Sequence, residues 1–255
     1  VTTRAAAATA DSQPSLIAAE AARLSGYFRR SELPLHSLVF LLPLMALFEI
    51  GARFHPADPI AFHLLQVFFS QLGAEGRFLP GLLLVGILLS WHIARRDPWK
   101  VKGQTLWGMA LESWALSLPL LALGVAFSRM HIHLPLASPS GEQWRIDTVL
   151  SIGAGIYEEL VFRLILMTAL MVFLADILKM KKATASLLMV LISATLFSLY
   201  HYLGYEPFQW RSFVFRTIAG IYFAVIFLTR GFGITAGSHI AYDILIVGLQ
   251  AFSLG

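Results

Sequence analysis

Seven stretches of this chain are long and apolar enough to cross a hydrocarbon core, which takes about 20 residues for about 30 Å. They lie near residues 34–53, 78–94, 105–128, 147–175, 183–203, 211–229 and 234–252. The composition agrees: 57% of residues are hydrophobic and only 13% charged, against about 25% charged in a soluble domain, and the mean hydropathy is +0.71. The fold class expected is therefore all-α, a polytopic membrane helix bundle of about seven transmembrane helices. Residues 60–72 are too short to span comfortably. His63, Gln66 and Ser70 put a polar stripe on one face there, which reads as an additional short interfacial or re-entrant helix.

The basic residues orient the bundle. Arg29-Arg30, the run Arg95, Arg96, Lys100 and Lys102, the run Lys179, Lys181 and Lys182, and Arg230 fall on one side if seven helices span. Positive charge concentrates on the inner side, so the N-terminus is expected inside and the C-terminus outside; the location expected is a bacterial-type inner membrane. Arg53 and Arg77 lie on the opposite side. The net charge of +4 comes from these clusters, which is orientation chemistry rather than a nucleic-acid surface.

Three regions follow along the chain. Residues 1–33 are an Ala-rich leader, exposed or interfacial, with Leu16, Ile17, Ala21 and Leu24 spaced for one weak amphipathic helix. Residues 34–146 supply accessory helices and loops, the longest loop at 129–146 being broken by Pro135, Pro139 and Gly141. Residues 147–252 carry the chemistry. The chain has no cysteine, which excludes a disulfide scaffold, thiolate metal sites and a cysteine nucleophile.

Within Gly153–Ala169, GAGIYEELVFRLILMTA, Glu158, Glu159 and Arg163 interrupt a stretch otherwise suited to lipid. Each charge near a bilayer centre costs about 2.5–3.5 kcal/mol on insertion scales, so such charges face a bundle interior or a wet cavity. Glu159 and Arg163 stand four apart, acid first, the favourable order for an ion pair. Glu158 points about 100° away around the helix and has no local cation. An unpaired carboxylate of this kind is suited to proton exchange. Packing the bundle together is the plainer reading of all three. Downstream, FSLYHYLG places Phe197 one turn before His201, and GSHIAYDIL places His239 one turn before Asp243 on the same face. His36, His55, His63, His92, His131 and His133 lie near helix ends or in loops and are read as structural. HExxH, GxSxG, P-loop and Rossmann patterns are absent. Gly233 and Gly237 form a small-xxx-small pair, read as close helix packing.

Glu158-Glu159-x-x-x-Arg163, Phe197-x-x-x-His201 and His239-x-x-x-Asp243, in that order on successive helices, resemble the EExxxR, FxxxH and HxxxN motifs of the CAAX-protease and bacteriocin-processing (CPBP) family. This is a family of glutamate-type intramembrane proteases that includes the Ras-converting endoproteases. The resemblance covers about residues 147–252. It implies that Glu158 is the general base activating water and that His201 helps to hold it. It also implies that His239 and residue 243 line the oxyanion hole, while Glu159 and Arg163 brace the site. No cofactor or metal is implied. The partners implied are a protein or peptide substrate, lipid-modified or membrane-anchored, and the bilayer.

The chain departs from the family pattern at one position: Asp243 stands where the family has asparagine, and no asparagine occurs anywhere in the sequence. An ionised carboxylate about 4 Å from a developing oxyanion repels it by about 4 kcal/mol at an effective dielectric near 20. Two routes avoid this: a protonated Asp243 that donates a hydrogen bond, as a buried carboxylic acid can, or an Asp243 that keeps His239 charged as the electrophile. Altered or lost activity is the third outcome. Depth sets a second condition. Straight, full-length spans would place Glu158 near mid-membrane, His201 near the outer end of its helix and His239 near the inner end of its own. One site then requires tilted, short or broken spans, with Gly220, Gly231 and Gly233 as the expected break points.

The function expected is an intramembrane endopeptidase acting on a membrane-proximal peptide bond, in CAAX-type or sorting and leader-segment processing. A non-enzymatic proton or cation relay using the same buried Glu/His cluster is an alternative. A zinc hydrolase is another, since two histidines and two carboxylates can supply ligands.

Overall fold

With no water in the bilayer core to satisfy backbone groups, apolar runs of this length close their hydrogen bonds within themselves, and helices follow. The computed structural model describes residues 16–54, 58–129, 143–204 and 206–252, and among these there is no strand. The elements are α1 (Leu16–Ser31), α2 (Pro34–Gly51), α3 (Ile60–Gln71), α4 (Leu79–Arg95) and α5 (Gly103–Arg129). A continuous rod follows, made of α6 (Gln143–Glu159), a π-helical stretch Leu160–Met167, α7 (Thr168–Met171) and a second π-helical stretch Val172–Ile177. Then come α8 (Lys182–Tyr200) with a 3₁₀ turn His201–Leu203, α9 (Trp210–Arg230) and α10 (Phe232–Phe252). His55, His131, His133 and the breakers Pro135, Pro139 and Gly141 lie outside the described residues, as does the first part of the leader.

The protein is a multi-pass helical membrane protein. Among the described residues, six helices have the length and hydropathy to cross a membrane: 34–51, 103–127, 143–177, 182–203, 210–230 and 232–249. The remaining expected span, Leu79–Arg95, is 17 residues long, about 26 Å at 1.5 Å per residue. The count of seven therefore includes one helix at the short limit. α3 has 12 residues and buries Ala61, Phe62 and Leu65 while His63, Leu64, Val67, Phe68 and Ser70 face outward.

α10 is the hub, packed against α5, α6, α9 and α2. Small residues allow this. A Cβ on Gly155 of α6 would stand 2.8 Å from the Ile240 nitrogen, so side-chain-free backbone is what brings α6 and α10 together. The Gly233/Gly237 pair lies against Ser37 and Met109 at one residue and against Ser113 and Phe40 at the other.

The break points expected from sequence are corrected by the structure. α9 runs unbroken through Gly220, where the missing side chain admits Ala194 of α8, and Gly233 lies inside α10. Of the three, only Gly231 breaks the chain, at φ +77 and ψ 179, an extended positive-φ conformation that glycine adopts without steric penalty. The π-helical stretches carry no pattern by which hydropathy could announce them. The first begins directly after Glu159, and Ser193 of α8 donates to its Phe162 carbonyl at 2.9 Å. Such segments often mark functional sites in helices.

Residues 27–32, at the end of the expected leader, are tied into the bundle. Arg230, one residue before the Gly231 elbow, pairs with Glu112 at 2.5 Å and Glu32 at 3.1 Å and donates to Ser31 at 2.8 Å. Its guanidinium lies 4.4 Å from the Phe28 ring centre, and Tyr27 donates to Glu112. A cavity of about 520 Å³ between α1 and α5, lined by Leu24, Tyr27, Arg30, Thr105 and Glu112, belongs to this region. It shares no residue with the carboxylate–histidine cluster.

Candidate functional site

Four elements bring their polar residues to one place. The rod supplies Glu158, Glu159 and Arg163, the end of α8 supplies Tyr200, the 3₁₀ turn supplies His201, and α10 supplies His239 and Asp243. Glu159 and Arg163 are fully buried at 0% exposure, and Glu158 and His239 at 5%.

Arg163 Nε lies 2.9 Å from Glu159 Oε2, close enough for an ion pair although out of line for a hydrogen bond. The guanidinium also donates to the Gly220 carbonyl at 3.2 Å and sits over Phe197, 4.4 Å from the ring centre. Glu159 turns its other oxygen to His239 Nδ1 at 2.8 Å. A carboxylate facing a guanidinium accepts, so Nδ1 is the donor. Phe223 stacks on the His239 ring at 4.6 Å and 19°, fixing its plane. His239 Nε2 therefore points the other way, to Glu158 Oε2 at 3.8 Å and Asp243 Oδ2 at 3.5 Å.

His201 reaches the same acid from the opposite side. Its Nδ1 donates to the Phe197 carbonyl, one turn back, at 2.8 Å. Its Nε2 lies 3.9 Å from Glu158 Oε2. Glu158 Oε1 accepts from the Tyr200 hydroxyl at 2.7 Å, whereas Oε2 has no hydrogen-bond partner among the described residues. One carboxylate oxygen is thus anchored, and the other is flanked by two imidazole nitrogens.

The depth expected from straight spans is corrected, because both histidines stand within 4 Å of Glu158. Glu158 lies nineteen residues before Ile177, where the rod ends, and His201 nineteen residues after Lys182, where α8 begins, so the hairpin sets them level. The rod is 35 residues long, about 50 Å at α-helical rise against a core of about 30 Å. Its length therefore does not fix Glu158 at mid-membrane.

Two participants carry no sequence signal of their own. Tyr200 adjoins His201 but stands outside the spaced motif. Phe223 is one aromatic among many on α9. Of the other histidines, His36 and His92 are buried at 1% and 0%, and His92 packs edge-on against Trp99. His63 is exposed. Among the described residues, no group of three or more His, Asp or Glu side chains is arranged to hold a metal ion.

The sequence model described as Rce1-like, type II CAAX prenyl endopeptidase Rce1-like, matches residues 140–245, the segment that holds every residue of this cluster. No curated protein and no solved structure matches the chain.

Proposed function

From membership in the Rce1-like family of membrane proteases over residues 140–245, we propose that the protein is an intramembrane endopeptidase in which Glu158 activates water. The substrate proposed is a membrane-proximal peptide, the lipid-modified CAAX-type tail being the first class to test. The observation that carries this reading is Glu158 Oε2, free of hydrogen bonds from the described residues and flanked by His201 Nε2 at 3.9 Å and His239 Nε2 at 3.8 Å.

The hydrogen bonds suggest the roles. His201 spends its Nδ1 proton on the Phe197 carbonyl, so in the neutral ring Nε2 is an acceptor. A water donating to Glu158 Oε2 and to His201 Nε2 keeps its lone pairs free for a carbonyl carbon. Glu158 takes the proton as the oxygen attacks. His239, with Nδ1 donating to Glu159 and Nε2 facing two carboxylates, is best satisfied as the imidazolium, and its Nε2 proton is then the donor to the oxyanion. Stabilising charge that develops only in the transition state is usually the largest catalytic contribution. Glu159 and Arg163 brace the imidazole rather than react. An inner-membrane location with the N-terminus inside completes the proposal.

The test is cleavage of a farnesylated CAAX-type peptide by purified protein in lipid. Glu158→Ala, His201→Ala and His239→Ala should each abolish turnover at matched protein levels, and a chelator should leave the wild type active. Turnover retained in Glu158→Ala rejects the base. Turnover lost to chelator favours a zinc hydrolase.

A further inference from the structure

The cluster holds three carboxylates around one imidazole, and their charges do not balance. Glu159 must be ionised, since it faces Arg163 at 2.9 Å and the His239 Nδ1–H at 2.8 Å. Glu158 must be ionised to act as a base. Arg163 and a protonated His239 balance these two charges. Asp243 adds a third negative charge beside groups that are nearly or wholly buried, where an unbalanced charge is strongly disfavoured. Among the described residues, nothing else around the site compensates. Arg216 is spent on Glu206, at 3.0 and 2.8 Å. His201 donates to a backbone carbonyl, and Tyr200 and Tyr242 are phenols. One more proton closes the balance. Glu159 is committed to the Arg163 charge and the His239 Nδ1–H, and Glu158 must stay unprotonated to take the proton of the attacking water. Asp243, one helical turn from His239 with Oδ2 3.5 Å from Nε2 and its side chain 25% exposed, is the carboxyl that borders the open side.

We propose that Asp243 holds this proton and is the general acid that delivers it to the leaving amine. This rests on the protease reading above and goes beyond it, since the family resemblance implied residue 243 only as part of an oxyanion hole. The step balances. Water gives a proton to Glu158 and its oxygen bonds to the carbonyl carbon, forming the tetrahedral oxyanion. As the C–N bond breaks, its electron pair stays on nitrogen and takes the Asp243 proton. The products are a carboxylic acid and an amine. The proton on Glu158 then returns to Asp243 by way of His239, restoring the starting state.

The experiment uses the full chain in lipid with two probes, a farnesylated CAAX-type peptide and its thioester analogue at the scissile bond. An amine leaves only when protonated, whereas a thiolate leaves unprotonated near its own pKa of about 8.5. Asp243→Asn should slow kcat on the peptide by roughly 100-fold, in the range of general acid catalysis, with KM unchanged and thioester turnover nearly intact. Independently of turnover, infrared spectra at neutral pH should show the carbonyl stretch of a protonated carboxylic acid in the wild type that Asp243→Asn lacks. Equal loss on both probes, or identical spectra, would overturn the proposal. If Glu158→Ala cleaves like the wild type, it is the reading of Glu158 as the base that fails. If Glu158→Ala is dead and Asp243→Asn is unaffected on either probe, this inference alone fails.

Discussion

Replacing Arg163 by methionine removes the guanidinium and leaves Glu159 buried with no cation on Oε2. The side chain is 0% exposed, 2.9 Å from Glu159, hydrogen-bonded to the Gly220 carbonyl at 3.2 Å and 4.4 Å above Phe197. Breaking a buried pair from one side costs about 3–5 kcal/mol, most of it the stranded charge rather than the lost attraction. The double variant Glu159→Gln with Arg163→Met strands no charge, and the amide oxygen of the introduced glutamine can still accept from His239 Nδ1. It should therefore lie within about 1–2 kcal/mol of the wild type, since neutral replacement of both partners is often tolerated. The assay is denaturant-induced unfolding in mixed micelles followed by tryptophan fluorescence, with both single variants and the double variant at one detergent composition. A cost below about 1 kcal/mol for Arg163→Met, or a double variant as unstable as the sum of the singles, would refute the argument that stranded charge dominates.

Two further predictions concern geometry. Gly155→Val should cost about 1–3 kcal/mol by overpacking, because its Cβ would meet Ile240 at 2.5 Å on Cγ1 and 2.8 Å on the backbone nitrogen. Gly86→Val, with nothing within 4 Å, is the control, and thermal melting together with peptide turnover separates the two. Tyr200→Phe removes the 2.7 Å bond to Glu158 Oε1. Loss of this positioning should lower kcat roughly 10- to 100-fold, and stability should fall by about the 1.5–3 kcal/mol that a hydrogen bond to a charged group contributes. Unchanged kcat would show that the anchored oxygen does not orient the base.

The architecture was legible because hydropathy is a one-dimensional signal. A run that spans lipid must satisfy its own backbone, and that condition is written in consecutive residues. Observed boundaries differ from those expected by a few residues, as at the start of the rod, which lies at Gln143. The i,i+4 neighbours His239 and Asp243 were legible for a related reason, since the helical repeat alone places them on one face.

What pairs across helices was not legible. His239 meets Glu159 rather than only Asp243 because Gly155 lets α10 approach α6, and a glycine in an apolar run does not say which helix it admits. Tyr200 binds Glu158 because the hairpin between rod and α8 sets them level, a matter of turn position and not of motif. The π-helical start after Glu159 shifts register by a hydrogen-bond choice that leaves no mark in composition. Residue types, their order and their helical spacing thus declared which groups are costly enough in lipid to need one another. Distances between separate helices are set by packing contacts that no single segment encodes, so only the assembled bundle decided which carboxylate oxygen is bound and which is left between two imidazoles.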